Sequence, residues 1–156
     1  MELKVGSTAP AINLPDQDGK QQKLSDYKGR YVLIYFYPKD DTPGCTKEAC
    51  GLRDSFPNFK KLNAKVLGIS ADSVAKHKKF VDKYELPFTL LADENKEVCE
   101  KYGVWSEKSM YGKLFFGINR TSFLVDPKGK IVRIYQKVKP VEHAAQVLSD
   151  LEELQK

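Results

Sequence analysis

The chain alternates short apolar blocks with amphipathic stretches, and the period of that alternation marks out its elements. Tyr31 to Tyr37, reading YVLIYFY, is an unbroken β-branched and aromatic run, which predicts a strand buried on both faces. The pattern then turns helical from about Pro43 to Phe56, with Pro57 expected to kink or stop the helix. Val66 to Ser70 reads as a second buried strand. Ser73 stands as a helix cap before Val74, His77, Phe80, Val81 and Tyr84, which recur at helical spacing. A short strand is expected over Thr89 to Ala92, and a short helix over Lys96 to Tyr102, ended by Gly103. Thr121 to Val125 and Ile131 to Tyr135 flank Asp126-Pro127-Lys128-Gly129, a turn signal that predicts an antiparallel hairpin. The last helix should carry Val141, Ala144, Ala145, Leu148 and Leu151 on one face. Near the start, Ile12 to Leu14 and Gln22 to Leu24 flank Asp18-Gly19 and predict an N-terminal hairpin.

A β-α-β opening followed by a β-β-α ending implies an α/β protein: a mixed central sheet with helices on both faces. That order is compatible with a thioredoxin-like fold. No repeat, low-complexity tract or Gly/Ser linker interrupts the 156 residues, so one domain over 1–156 is expected. The longest uncharged stretch, Val5 to Pro15, contains Gly6, Pro10 and Pro15 and is too short and broken to span a bilayer. MELKVGSTAP has no apolar signal core, and the expected location is cytoplasmic. The formal charge of +5 raises the question of nucleic acid. Its cations are scattered, however, and almost all are lysines, with arginine only at 30, 53, 120 and 133. A solvated lysine surface is the reading that follows, with no nucleic-acid partner.

Three cysteines, Cys45, Cys50 and Cys99, are too few and too odd in number for a secreted disulfide framework. Position must then decide which are reactive. Cys45 follows a buried strand and the polar loop Asp40-Asp41-Thr42-Pro43-Gly44, with Pro43 suited to the first helical position and Thr42 to the cap. Sites of open sheets lie at such strand ends. Only a thiolate is a good nucleophile, and a helix N-terminus favours the thiolate form through unpaired N–H groups and the dipole. The bland alternative is a small buried cysteine packed like alanine. The residue three before Cys45 is Thr42 and not a second cysteine, which excludes a dithiol exchange motif and offers a hydroxyl to the thiolate or to a bound oxygen.

Pro38-x-x-x-Thr42-x-x-Cys45 resembles the active-site signature of the peroxiredoxins, and the string from Tyr37 to Cys50 is similar to their bacterioferritin comigratory branch. The likeness continues through Gly103-Val104-Trp105, Lys108 to Gly112 and Gly117 to Phe123. The resemblance implies a thiol peroxidase acting on hydrogen peroxide and small organic hydroperoxides. Cys45 would be the peroxidatic cysteine and Cys50 the resolving one, as in atypical two-cysteine members. Thr42 would hold the peroxide oxygen and the thiolate, and Arg120 would lie beside the sulfur. Pro38 would shield the site and shape the loop. The resemblance also implies thioredoxin as reductant and a monomeric protein; no cofactor or metal is expected. Glu48 either orients Arg120 or is a surface carboxylate near a helix start.

His77 and His143 read as ordinary helix residues, and Tyr37 and Trp105 as core or pocket wall. Cys99 reads as buried and inert, with a minor rival role as resolving cysteine. Two other functions fit parts of the pattern. A redox sensor or holdase chaperone would use the same sulfur, and a metal module would use the three cysteines. The metal reading is weak, because Cys45 and Cys50 lack short ligand spacing and no His pair completes a site.

Overall fold

The computed structural model describes residues 3–156. Its centre is a five-stranded mixed sheet in the order β5-β4-β3-β8-β9, formed by β3 (Tyr31–Phe36), β4 (Ala64–Ser70), β5 (Thr89–Ala92), β8 (Thr121–Val125) and β9 (Ile131–Tyr135). β3 pairs parallel to β4 on one side and antiparallel to β8 on the other, so it lies in the middle. Its apolar run serves both faces, as a central strand requires. Leu33, Tyr35 and Tyr37 enter one core layer, and Val32, Ile34 and Phe36 enter the other. The first layer is covered by α1 (Pro43–Asp54), α2 (Phe56–Lys61), α3 (Val74–Tyr84) and α5 (His143–Leu154). The second is covered by α4 (Glu97–Lys101) and the N-terminal segment that carries the hairpin β1 (Asn13–Pro15) and β2 (Gln21–Lys23).

Several elements differ from the sequence expectation. β4 begins at Ala64, because that alanine is buried and pairs with Tyr31. The helix expected to run to Phe56 breaks at Ser55, whose φ of −95° and ψ of 0° leave the helical range. Pro57 does not stop a helix but opens α2, where its missing N–H costs nothing. Thr42 occupies the cap position of α1 without a side-chain cap bond. The cap of α3 does form: Ser73 accepts from the Lys76 N–H at 3.2 Å. α5 starts only at His143, leaving Val141 77% exposed and Ala145 on the outer face; His143, Ala144, Val147 and Leu151 make its buried stripe. A second hairpin, β6 (Trp105–Met110) with β7 (Lys113–Ile118), stands apart from the central sheet. Tyr111 and Gly112 both take positive φ at its tip, the conformation a two-residue hairpin turn demands. Its outer residues Met110, Tyr111, Leu114 and Phe116 are exposed.

Candidate active site

Cys45 sits in the first turn of α1, at the C-terminal end of the central strand β3, and is 1% exposed. Arg120, in the segment between β7 and β8, reaches across to it. Its Nη2 lies 3.3 Å from the Cys45 sulfur, while its Nη1 donates to Glu48 Oε1 at 2.7 Å. One planar guanidinium thus holds a carboxylate with one arm and the sulfur with the other, a fork a lysine cannot reproduce. Burial works against the Arg120 charge, but Cys45 and Glu48 beside it raise its pKa. Glu48 is buried one turn after Cys45, so the alternative of a surface carboxylate is not what the fold builds. Burial pushes its carboxyl up to about 7, against the pull of Arg120. Gly44 makes the approach of the arginine feasible: a Cβ there would lie 3.1 Å from Arg120 Nη2.

Thr42 precedes the helix, and its hydroxyl donates to the Lys39 carbonyl at 2.8 Å. That bond uses the only hydroxyl proton, leaving the oxygen lone pairs as acceptors. Pro38 leads from β3 into the loop and is itself exposed. Cys50 lies later on the same helix, half-buried, and all three cysteines are free thiols. Cys99 belongs to the core layer on the opposite side of the sheet from Cys45. Burial, and then the carboxylate of Asp93, push its thiol well above the usual range. The Asp93 carboxylate also accepts from the N–H groups of Val98 and Cys99, at 3.3 and 2.8 Å, and so fastens the start of α4.

Two features escaped the sequence reading. Lys108 of β6 donates to the Ile118 carbonyl and lines a cavity of about 440 Å³ together with Asn119, Arg120, Thr121 and Phe123. His77, read as an ordinary helix residue, is fully buried with both ring nitrogens engaged. Its partners lie 37 positions before it and 14 after, so no local pattern could reveal them.

The sequence from residue 5 to residue 134 matches the AhpC/TSA family. The chain belongs to that family of peroxiredoxins. Within it the chain falls in the bacterioferritin comigratory branch that its own residues resemble. It is 52% identical over 151 residues to the peroxiredoxin Bcp of Escherichia coli, covering 97% of each chain. It is 41% identical to the bacterioferritin comigratory protein of Xanthomonas campestris, whose structures address alkyl peroxide reduction. That match has a TM-score of 0.88 and covers 93% of this chain and 92% of that one. A cysteine-to-serine mutant of the peroxiredoxin Q of Xylella fastidiosa is 34% identical with a TM-score of 0.94, over 100% of this chain and 99% of that one. The thioredoxin-like fold of these peroxiredoxins is the fold of this chain.

Proposed function

We propose that this protein is a thiol peroxidase that reduces hydrogen peroxide and small organic hydroperoxides through Cys45. The observation that carries the reading is the Arg120 fork, with one arm 3.3 Å from the sulfur and the other fixed by a buried carboxylate. The guanidinium stabilises the negative sulfur and stands beside the place where negative charge grows on the departing oxygen. Thr42, its own proton committed to Lys39, accepts from the hydroperoxide O–H and so presents the terminal oxygen to the sulfur. The sulfur lone pair forms an S–O bond as the O–O bond breaks. The hydroxide or alkoxide leaves with that bond's electron pair and takes up a proton as water or alcohol, and Cys45 ends as a sulfenic acid.

Cys50 then attacks that sulfenic acid, a disulfide forms, and water departs. Support for Cys50 over Cys99 comes from placement, since Cys99 lies across the sheet behind buried apolar side chains. A thioredoxin-type dithiol is the reductant we assign to the disulfide. A single domain, a monomer and a cytoplasmic setting complete the reading. No described helix is long and apolar enough to cross a membrane. The sensor or holdase alternative has no feature of the site in its favour.

The test is peroxide consumption coupled to thioredoxin and its reductase. Cys45→Ser should abolish turnover, because a serine hydroxyl is scarcely ionised. Cys50→Ser should keep the first oxidation and lose recycling by thioredoxin. Steady-state activity persisting in Cys45→Ser would end the assignment.

A further inference from the structure

His77 lies on the buried face of α3 and makes no hydrogen bond to the sulfur, and its surroundings leave little freedom. Its Nε2 is 3.0 Å from the Leu91 carbonyl of β5. A carbonyl only accepts, so Nε2 carries a hydrogen. Its Nδ1 is 2.6 Å from Asp40 Oδ2. Two bare lone pairs would repel at that distance, so a proton lies between them. The other carboxylate oxygen, Asp40 Oδ1, accepts from the Tyr37 hydroxyl at 2.6 Å. The Asp40 backbone N–H is taken by Asp72 Oδ2 at 2.8 Å, and Asp72 in turn accepts from the Ser70 hydroxyl at 2.7 Å. Asp40, Asp72 and His77 converge as a group of metal-ligand type would. Hydrogen bonds nevertheless engage each of them: His77 Nδ1 meets Asp40 Oδ2 across a proton, and Asp72 Oδ2 is taken by the Asp40 N–H and the Ser70 hydroxyl.

Asp40 belongs to the loop that delivers Cys45. The next residue, Asp41, takes a positive φ of 56°, and its carboxylate accepts from Lys83 Nζ at 2.8 Å and the Tyr84 hydroxyl at 2.7 Å, both of α3. Thr42 then ties back to Lys39, and Pro43 begins α1. The loop is therefore fastened to α3 at two successive residues, and α3 to the sheet through His77 and Leu91. Arg120 reaches the sulfur from the other side of the sheet's centre, next to β8. The separation of sulfur and guanidinium is thus set by how firmly this loop is fixed to the frame. A well-packed apolar side chain in place of a buried ionisable pair is often as stable or more so. The value of such a pair then lies in fixing one geometry.

We propose that His77 is a positioning residue: its buried bonds to Asp40 and Leu91 lock the loop that aims Cys45 at the peroxide and at Arg120. The proposal rests on the peroxidase reading and adds to it a residue that touches neither sulfur nor substrate. Misplacement of a reacting group by about 1 Å costs on the order of a hundredfold in rate.

Two rates on reduced, full-length protein test it: oxidation of Cys45 by hydrogen peroxide, and its alkylation by iodoacetamide. Both are read as plateau rates at a pH high enough to ionise Cys45 fully in every variant, where alkylation needs an accessible thiolate but not the aligned loop. His77→Phe and Asp40→Ala should slow oxidation on the order of tenfold to a hundredfold and leave alkylation unchanged. Asp40→Asn should restore fast oxidation. Its amide can donate to Nδ1 of His77 while its oxygen still accepts from Tyr37, so the lock keeps its shape. Should His77→Phe fail to fold, the Asp40→Ala and Asp40→Asn pair decides alone. Wild-type oxidation rates in Asp40→Ala, equal losses in both reactions, or an Asp40→Asn variant as slow as Asp40→Ala would each overturn the proposal. A wild-type Cys45 inert to peroxide would instead strike at the peroxidase reading itself.

Discussion

At the scale of single residues, the site depends on crowding as much as on charge. Gly44 gives Arg120 its room, and an added methyl would meet Nη2 at 3.1 Å. Gly44→Ala should slow the first oxidation of Cys45 several-fold by pushing the guanidinium off line. It should also stabilise the protein by up to about 1 kcal/mol, since Gly44 lies in the first turn of α1 without a positive φ and alanine leaves the unfolded chain less freedom. Stopped-flow oxidation alongside thermal unfolding checks both; oxidation at the wild-type rate would show that the arginine adapts. The same residues show what sequence can reveal. Cys45 was legible because a polar loop, a proline and a helix start surround it in the chain itself. Arg120 came only through the family likeness, because nothing in its own neighbourhood says that it reaches residue 45. Glu48 stayed undecided until burial was visible. Asp40 and His77 were illegible, since each is unremarkable until the other is beside it.

At the scale of elements, α1 presents a conflict between the resting fold and the proposed chemistry. Both Cys45 and Cys50 lie on the continuous helix Pro43–Asp54. Five residues along an ideal helix separate their Cα atoms by roughly 8–9 Å and point the side chains about 140° apart. A disulfide needs Cα atoms closer than about 7 Å with converging side chains. The first turns must therefore open after Cys45 is oxidised, which removes Glu48 from its place beside Arg120. Hydrogen exchange of reduced and oxidised protein reads this directly: amide protection over residues 43–51 should fall on oxidation. Unchanged protection there, with a mapped disulfide from Cys45 to Cys99, would reassign the resolving cysteine. The helix break at Ser55 was not legible, because proline reads as a stop and also serves as a start. Nor was the β6–β7 hairpin. Its residues are mostly exposed, so no apolar alternation records a buried face. The buried strands and the Asp126–Gly129 turn, by contrast, follow the rules of apolar runs and turn residues closely.

At the scale of the whole molecule, two buried groups tilt stability in opposite directions with pH. Glu48 is pushed by burial from its ordinary 4.5 up to about 7, so the folded protein holds that proton more tightly than the unfolded chain. Its contribution is complete below about 4.5 and is lost as pH rises through 7. His143 is driven by burial from 6.5 down to about 4, so its contribution is present above 6.5 and lost as pH falls through 4. Between these limits the two slopes oppose each other. Glu48→Gln should remove one of them, and its stability relative to wild type should climb from pH 4.5 to 7 by about 2–3 kcal/mol at most. Urea titrations at several pH values measure that difference; parallel curves would exclude Glu48 as its source. The strand order carries a consequence for how the protein is made. β3 waits for β8, with Tyr35 opposite Ser122, before its second edge is filled. At ribosomal rates of roughly 5–20 residues per second, Cys45 leaves the exit tunnel roughly 4–15 s before Arg120 does. During synthesis the thiol therefore travels without its cation, and on the proposed mechanism the nascent chain gains its peroxide reactivity only once Arg120 has emerged.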